Sequence, residues 1–516
     1  MTLELTDIKP KTEDEKKIEV NKIKELHDFY SVKHKNGTLE DIQIDKVKLV
    51  EKFIELGFVR YDTNDEQFVM IEIETNTIRR VSEKYITDKF IDFVQNLPAY
   101  NKEMRTAEGE PFHIEIKPSL IKKKLYNGLE NYFSKKLYER ARIDKEIKIQ
   151  TDEIDAKYFY FKNGFTKITK AGFEFSDYSK LDNFVWKTSI LQHNFEYTEE
   201  KGNFEKFFEN ITGKDKERKH SLMSICGYNL HGYFNYKTFL TLLTDSQLSE
   251  SGEPNGRTGK TLLCKGLGKM LNATDDQCGY IEIDGKTFKP DDEKKYQTAD
   301  IDTTLIHVND IFSWFKIENL FTDITEGITI RKMYEKPFRI LSKLMMSSNK
   351  SVMLEGSSAR DRVIVFELSN HYSDTFSPEM DFKQWFFRDW DEKEYNRYFS
   401  FMIRCCKMFF EHGIIRPQEI NYSEKILIEH TAPEFQAWFA HKMRVIKDEQ
   451  ILNNVEVVRM KRTLYFEFIE EYVDYKHKKG FSQAKFTKWI RKYCQWQKIK
   501  FREERSTEDI FVFEIN

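Results

Sequence analysis

The sequence predicts a central α/β core, with small α+β modules before it and a basic, winged-helix-like module after it. Three observations carry that prediction. From about 236 to 400, short apolar runs alternate with helical patterns, as in a sheet covered by helices. A glycine-rich turn, Pro254-Asn255-Gly256-Arg257-Thr258-Gly259-Lys260-Thr261, falls between a strand pattern and a helix pattern. Between Lys461 and Lys500, 11 Lys/Arg stand against four Asp/Glu, a local charge of +7 in a chain whose formal net charge is -3.

The 516 residues exceed what one hydrophobic core organises, so roughly two to four structural units are expected. The 43 Phe and 25 Tyr favour packed layers, while 33% charged residues imply well-solvated outer faces. A net charge near zero gives no global footprint for a polyanion, so local charge has to carry any nucleic-acid argument. Cys226, Cys264, Cys278, Cys405, Cys406 and Cys494 form no CxxC and no His/Cys cluster, which argues against a disulfide framework and a structural zinc. The start, Met1-Thr2-Leu3-Glu4, is polar, and no stretch reaches the roughly 18 apolar residues of a membrane helix. A cytoplasmic protein with no membrane partner is expected.

Residues 1–100 read as a small α+β module. Phe68 to Glu74 alternates like a strand, and a helix is predicted from Ser82 to Val94, with Ser82 as N-cap, Ile86, Phe90, Phe93 and Val94 on one face, and Pro98 helping to stop it. Residues 101–205 read as a second module, with a helix over Ser119 to Tyr138 and a strand over Ala156 to Phe161. The acidic pairs Asp152-Glu153 and Glu199-Glu200 read as solvated surface, and no catalytic carboxylate pair with a histidine marks a primase. Residues 206–415 hold a helical collar and the core, closing with a helix from Tyr395 to Phe410. Linker helices are expected over 416–459, and 460–516 gives two helices and a strand from Asp509 to Ile515.

The turn at 254–261 follows the strand candidate Thr238 to Leu243 and precedes a helix running to about Leu271. The backbone of Asn255, Gly256, Thr258 and Gly259, with the positive end of the helix, suits a triphosphate. Lys260 suits the β and γ phosphates of ATP, and the Thr261 hydroxyl suits its Mg²⁺. Pro254 stands where such loops usually carry glycine; it fixes φ and donates no N–H. A second apolar strand, from Thr304, ends in Asn309-Asp310. Asp310 is suited to hold Mg²⁺ or its waters and to orient an attacking water, and Asn309 to accept a hydrogen bond from a metal-bound water. A third strand delivers Asn349, suited to sensing the γ phosphate. Arg360 and Arg362 precede the strand Val363 to Phe366, where an arginine can reach a neighbouring subunit's nucleotide.

Together these segments, over residues 205–415, resemble the superfamily 3 helicases, ring-forming ATPases of viruses and related mobile elements. The 254–261 turn is similar to the phosphate loop of their phage and large-DNA-virus primase-helicase branch. The resemblance implies a P-loop ATPase core of AAA+ type, hydrolysis of ATP at the subunit interfaces of a homo-oligomer, a hexamer, and movement along DNA. It makes Asp310, Asn349, Arg360 and Arg362 the catalytic set. It also implies that Glu326 to Pro337 projects a hairpin into a central pore, with Arg331, Lys332 and Lys336 on DNA. Basic groups on a short loop suit the phosphates of a single strand and specify no base. Longer relatives often carry a primase domain before the motor, so a separate primase is an expected partner.

In the last module, Phe481 to Tyr493 is predicted as a helix with Ser482 as N-cap. Lys485, Lys488 and Lys492 fall near one face, and Phe486, Trp489 and Ile490 turn towards a core. Such a helix can lie against duplex phosphates or enter a major groove. The expected function is that of an ATP-dependent replicative DNA helicase drawing single-stranded or forked DNA through an oligomeric ring. A remodelling ATPase without strand separation and a nucleotide-dependent DNA-binding scaffold are the alternatives, the scaffold kept open by Asn309.

Overall fold

The computed structural model describes residues 22–514 other than 36–37, 64–66, 107–108, 144–145, 236–237, 247–256, 273–278, 334–335, 353, 355 and 506–508. The chain forms two compact units, one of residues up to Gln150 with Tyr178–Lys187, the other of Thr151–Asp177 with the chain from Thr188 onward. The stretch 101–205 is therefore shared between them.

In the first unit, Phe58–Thr63, Gln67–Glu74 and Thr77–Arg80 form an antiparallel sheet, extended in parallel by Val185–Trp186. The helix Glu83–Gln95 begins where the sequence places it. The Ser82 side chain accepts from the Tyr85 N–H, satisfying one of the free donors of the first turn. Ile86, Phe90 and Val94 are buried with Phe29, Phe53 and Tyr138. The single helix expected over Ser119 to Tyr138 is instead three short ones, Pro118–Tyr126, Leu129–Tyr132 and Lys135–Tyr138. Gly128 and Ser134 interrupt it, both poor in a helix interior, and the breaks let Leu137 and Tyr138 turn into the core.

In the second unit, Lys157–Phe161 lies inside a four-stranded sheet with Gly164–Thr169, Gly172–Ser176 and Ile190–Leu191. Asp152 overturns its expected solvated role. Its side chain is only 7% exposed and accepts from Lys157 Nζ at 2.9 Å, the Tyr158 N–H at 2.9 Å and the Gly232 N–H at 2.6 Å. The last of these partners is far away in sequence, which local charge patterning cannot reveal.

The central sheet has five strands, β1 (Leu240–Asp245), β2 (Tyr280–Asp284), β3 (Leu305–Asn309), β4 (Lys343–Ser347) and β5 (Val363–Leu368). Their spatial order is β2-β3-β4-β1-β5, and every pair is parallel. Parallel strands are covered on both faces, which is why β1 and β4 are buried along their whole length and read as continuous runs. Helix α1 (Lys260–Leu271) follows β1 and packs Leu263, Cys264 and Leu267 into the core shared with Lys216–Leu230 and Glu392–His412. Parallel register brings the carboxyl ends of β1, β3 and β4 to one edge of the sheet, the edge where open α/β sheets bind ligands.

Beyond the sheet, helices Tyr422–His430 and Pro433–Asn453 lead to a three-stranded sheet in the order Val457–Met460, Asp509–Phe513, Phe501–Arg505. Helix α2 (Gln483–Trp496) has the expected cap, Ser482 Oγ accepting from the Lys485 N–H at 3.3 Å. Phe486, Trp489 and Ile490 are buried against Phe435 and Phe468. Among the described residues the cysteines are free and buried, and no helix is long and apolar enough to cross a membrane.

Candidate functional site

The turn that opens α1 is held by shape. Gly259 has φ 103°, and a Cβ there would lie 2.8 Å from Phe207 Cε2, so a side chain is excluded by both backbone and packing. Lys260 is 7% exposed, and its ammonium is folded onto the carboxylate of Asp245, the last residue of β1, with Nζ 2.5 Å from Oδ1. The Thr258 hydroxyl donates to the same oxygen, and Lys425 Nζ donates to the Asp245 carbonyl. Asp245 is 2% exposed, so this is a buried ion pair. Sequence reasoning missed Asp245, whose one signal is an acid closing an apolar strand just before the glycine-rich turn. Thr261 is exposed on the first turn of α1. Pro254, Asn255 and Gly256 lie outside the described residues.

At the ends of β3 and β4 the structure joins two of the predicted residues. Asp310 takes a left-handed backbone, φ 62°, a conformation that costs a non-glycine residue about 1 kcal/mol or more. It is over-determined by its neighbours. The Ile311 N–H donates to the Ser347 carbonyl at 2.9 Å, and the Gly285 N–H donates to the Asn309 carbonyl at 2.6 Å, an approach a Cβ on Gly285 would block. The result aims the Asp310 carboxylate at Asn349, whose Nδ2 donates to Oδ1 at 2.9 Å. Lys286, which sequence reasoning missed, reaches Oδ2 at 3.0 Å, and the Asp310 carboxylate raises its pKa.

A polar chain runs beneath this corner. The Tyr280 hydroxyl lies 3.0 Å from His307 Nδ1, and His307 Nε2 lies 3.1 Å from Ser347 Oγ. Ser347 donates to Asn309 Oδ1 at 2.7 Å, and Asn309 Nδ2 donates to Glu282 Oε1 at 2.8 Å. His307 is fully buried, and burial pushes its pKa down to about 3. An unfolded histidine protonates first as pH falls, so the stability that depends on neutral His307 is complete above pH 6.5 and is lost as pH falls from there towards 3. His231, pushed down to about 4 mainly by burial, acts with the same sign. His307→Asn is expected to reduce proton uptake on unfolding by about one between roughly pH 4 and 6. The urea midpoint measured against pH should then fall less steeply than in the wild type, and an unchanged slope would remove His307 as the responsive group.

The segment predicted as a hairpin is one, with Ile328–Ile330 antiparallel to Phe338–Ile340. Of its basic residues, Arg331 and Lys336 are exposed, Arg331 lying 3.6 Å from Glu293. Lys332 is tied down, 3.0 Å from Asp300 and beside the Phe338 ring. Arg360 and Arg362 lie on a short helix, Gly356–Arg362, and diverge. Arg362 donates to the Ser358 carbonyl at 3.2 Å and covers the Phe321 ring, whereas Arg360 is exposed. Arg360 lines a cavity of about 680 Å³ beside β5, together with Arg416, Lys488, Arg491 and Lys492. Two of the three lysines predicted on α2 thus share a space with the predicted arginine; Lys485 is exposed elsewhere on that helix.

Among the described residues no group of three or more His, Cys, Asp or Glu side chains is arranged to hold a metal by itself. Magnesium does not require one, since it keeps waters and takes phosphate oxygens alongside one or two protein oxygens. Asp310, Glu282 beside Asn309, and the Thr261 hydroxyl on the first turn of α1 carry hard oxygens of the kind that ion takes.

No family model matches the chain, and no curated protein matches it. Among solved structures the chain is similar to the apo form of the NrS-1 C-terminal region, at 12% identity and a TM-score of 0.32, covering 70% of this chain and 96% of that one. An A form of the same region matches at 13% identity and a TM-score of 0.31, covering 69% and 96%. The similarity is distant.

Proposed function

We propose that the second unit carries a P-loop ATPase core that drives DNA through an oligomeric ring, with the C-terminal helices and sheet as a winged-helix-like DNA-binding module. One observation carries the reading. The Lys260 turn after β1, the Asp310 carboxylate after β3 and the Asn349 amide after β4 stand at one edge of a parallel sheet, with Asp310 and Asn349 in contact at 2.9 Å. In this reading the N–H groups opening α1 and Lys260 bind the triphosphate, and Thr261 and Asp310 hold Mg²⁺. Asp310 orients the attacking water while Asn349 fixes its carboxylate. Bound Mg²⁺ supplies neutralisation of the charge on the transferred phosphoryl group. Arg331 and Lys336 on the hairpin provide exposed cations for the phosphates of a single strand.

The test is ATP hydrolysis and strand separation by the full chain on forked DNA. DNA-stimulated hydrolysis with unwinding is the expected result, and robust hydrolysis without DNA dependence would leave a remodelling ATPase. The second reading, a scaffold that binds nucleotide without turning it over, is favoured by the burial of Lys260 against Asp245. Nucleotide binding with no hydrolysis under any Mg²⁺ or DNA condition would select it.

A further inference from the structure

Asn309 closes β3 where a phosphate site usually presents an acid to the metal, and its amide is already committed. Ser347 has one hydroxyl proton, and it is given to Asn309 Oδ1 at 2.7 Å. His307 must therefore carry its own proton on Nε2 and donate it to Ser347, leaving Nδ1 to accept from Tyr280. The Asn309 carbonyl is held by Ser347, and its NH₂ is turned to Glu282 Oε1 at 2.8 Å. Reversing the amide would set its oxygen against a carboxylate, acceptor against acceptor, so the network fixes the orientation. What Asn309 offers is a neutral carbonyl already bonded to Ser347 and an NH₂ donor, with no negative charge for a metal.

We infer that Glu282, on the neighbouring strand β2, supplies the carboxylate that the metal side of the site lacks at Asn309. The inference rests on the nucleotide reading above. Glu282 pairs in register with His307, and Asp284 with Asn309, so Tyr280, Glu282, His307 and Asn309 share one face of the sheet. That face is the one α1 covers, because Cys264 Sγ lies 3.6 Å from His307 Nε2 and a Cβ on Gly268 would meet Tyr280 at 2.8 Å. Cys264, one turn along α1, feels both the Glu282 carboxylate and the Lys260 ammonium. Glu282 is thus on the side of the sheet that carries the phosphate-facing end of α1. Asn309 donates to one of its oxygens and the Tyr280 hydroxyl also lies within hydrogen-bond reach, and a carboxylate has lone pairs for further partners.

Glu282→Gln separates this role from a merely structural one, because the amide oxygen still accepts from Asn309 while the charge is removed. The full-length variant is compared with the wild type by equilibrium binding of a fluorescent, non-hydrolysable ATP analogue in Mg²⁺ and in EDTA. Mn²⁺ affinity in the presence of analogue is read by electron paramagnetic resonance. Glu282→Gln is expected to weaken the metal about 10–100-fold with the EDTA affinity unchanged, and adding Asn309→Asp is expected to restore it. A variant that keeps the full metal-dependent increment and the wild-type Mn²⁺ affinity overturns the role of Glu282 and leaves the nucleotide reading standing. A variant that loses EDTA and Mg²⁺ affinity equally overturns it too, as a structural effect. Analogue that fails to bind the wild type in either condition removes the nucleotide reading itself.

Discussion

Lys260→Ala is expected to lower the stability of the larger unit by about 3 kcal/mol as well as to abolish nucleotide binding. The stability loss follows from Asp245. With the ammonium removed, a carboxylate that is 2% exposed keeps, among the described residues, the Thr258 hydroxyl and the nearby Lys425 as compensation. Those two partners hold the loss at the lower end of what breaking a buried pair costs. Lys260→Met with Asp245→Asn removes both charges at similar volume and is expected to recover most of the stability while binding stays lost. Asp245→Asn alone should destabilise the free protein and enlarge the thermal shift that saturating nucleotide produces, because the freed ammonium then has the phosphates as its best partner. Denaturant melts of the larger unit, with and without nucleotide, check all three. Equal stability of Lys260→Ala and the wild type would show that the Lys260–Asp245 contact carries no weight. A loss of activity in Lys260→Ala, taken alone, does not separate a missing phosphate contact from a weakened fold.

The parallel sheet was legible because buried strands leave uninterrupted apolar runs. Leu240–Asp245, Leu305–Asn309 and Val363–Leu368 fall within two residues of their sequence-predicted bounds. Capped helices were legible for a similar local reason, as at Ser82 and Ser482, where one oxygen satisfies a free N–H. What stayed hidden is pairing across sequence distance. Glu282 and Asn309 meet only through strand register, and Asp245 and Lys260 only because α1 begins beside the end of β1. Asp152 reads as a surface acid until Gly232 comes to lie against it. The helix over Ser119 to Tyr138 failed differently. Its apolar periodicity was sound, but Gly128 weakened the middle enough for burial of Leu137 and Tyr138 to win. In the hairpin, composition gave the basic residues but not that Asp300 holds Lys332.

Asp310→Asn is expected to leave nucleotide binding within a few-fold of the wild type and to slow hydrolysis by about 10²–10⁴-fold, the range associated with removing a general base. The fold should tolerate it well. The residue sits at φ 62°, and asparagine is among the side chains that visit the left-handed region most readily. Its amide oxygen can still accept from Asn349 Nδ2, and the lost ion pair with Lys286 is exposed and worth little. The substitution therefore isolates the charge. Asn349→Ala makes the complementary change, keeping the carboxylate and releasing its aim, and is expected to slow hydrolysis less. Because the two side chains act as one unit, the double variant should be hardly slower than Asp310→Asn alone, a non-additivity that independent contributions would not produce. Single-turnover hydrolysis with separately measured nucleotide Kd resolves the terms. Wild-type turnover by Asp310→Asn would reduce Asp310 to a strand end held by hydrogen bonds and would move the water-orienting role to another acid at this corner, Glu282 first among them.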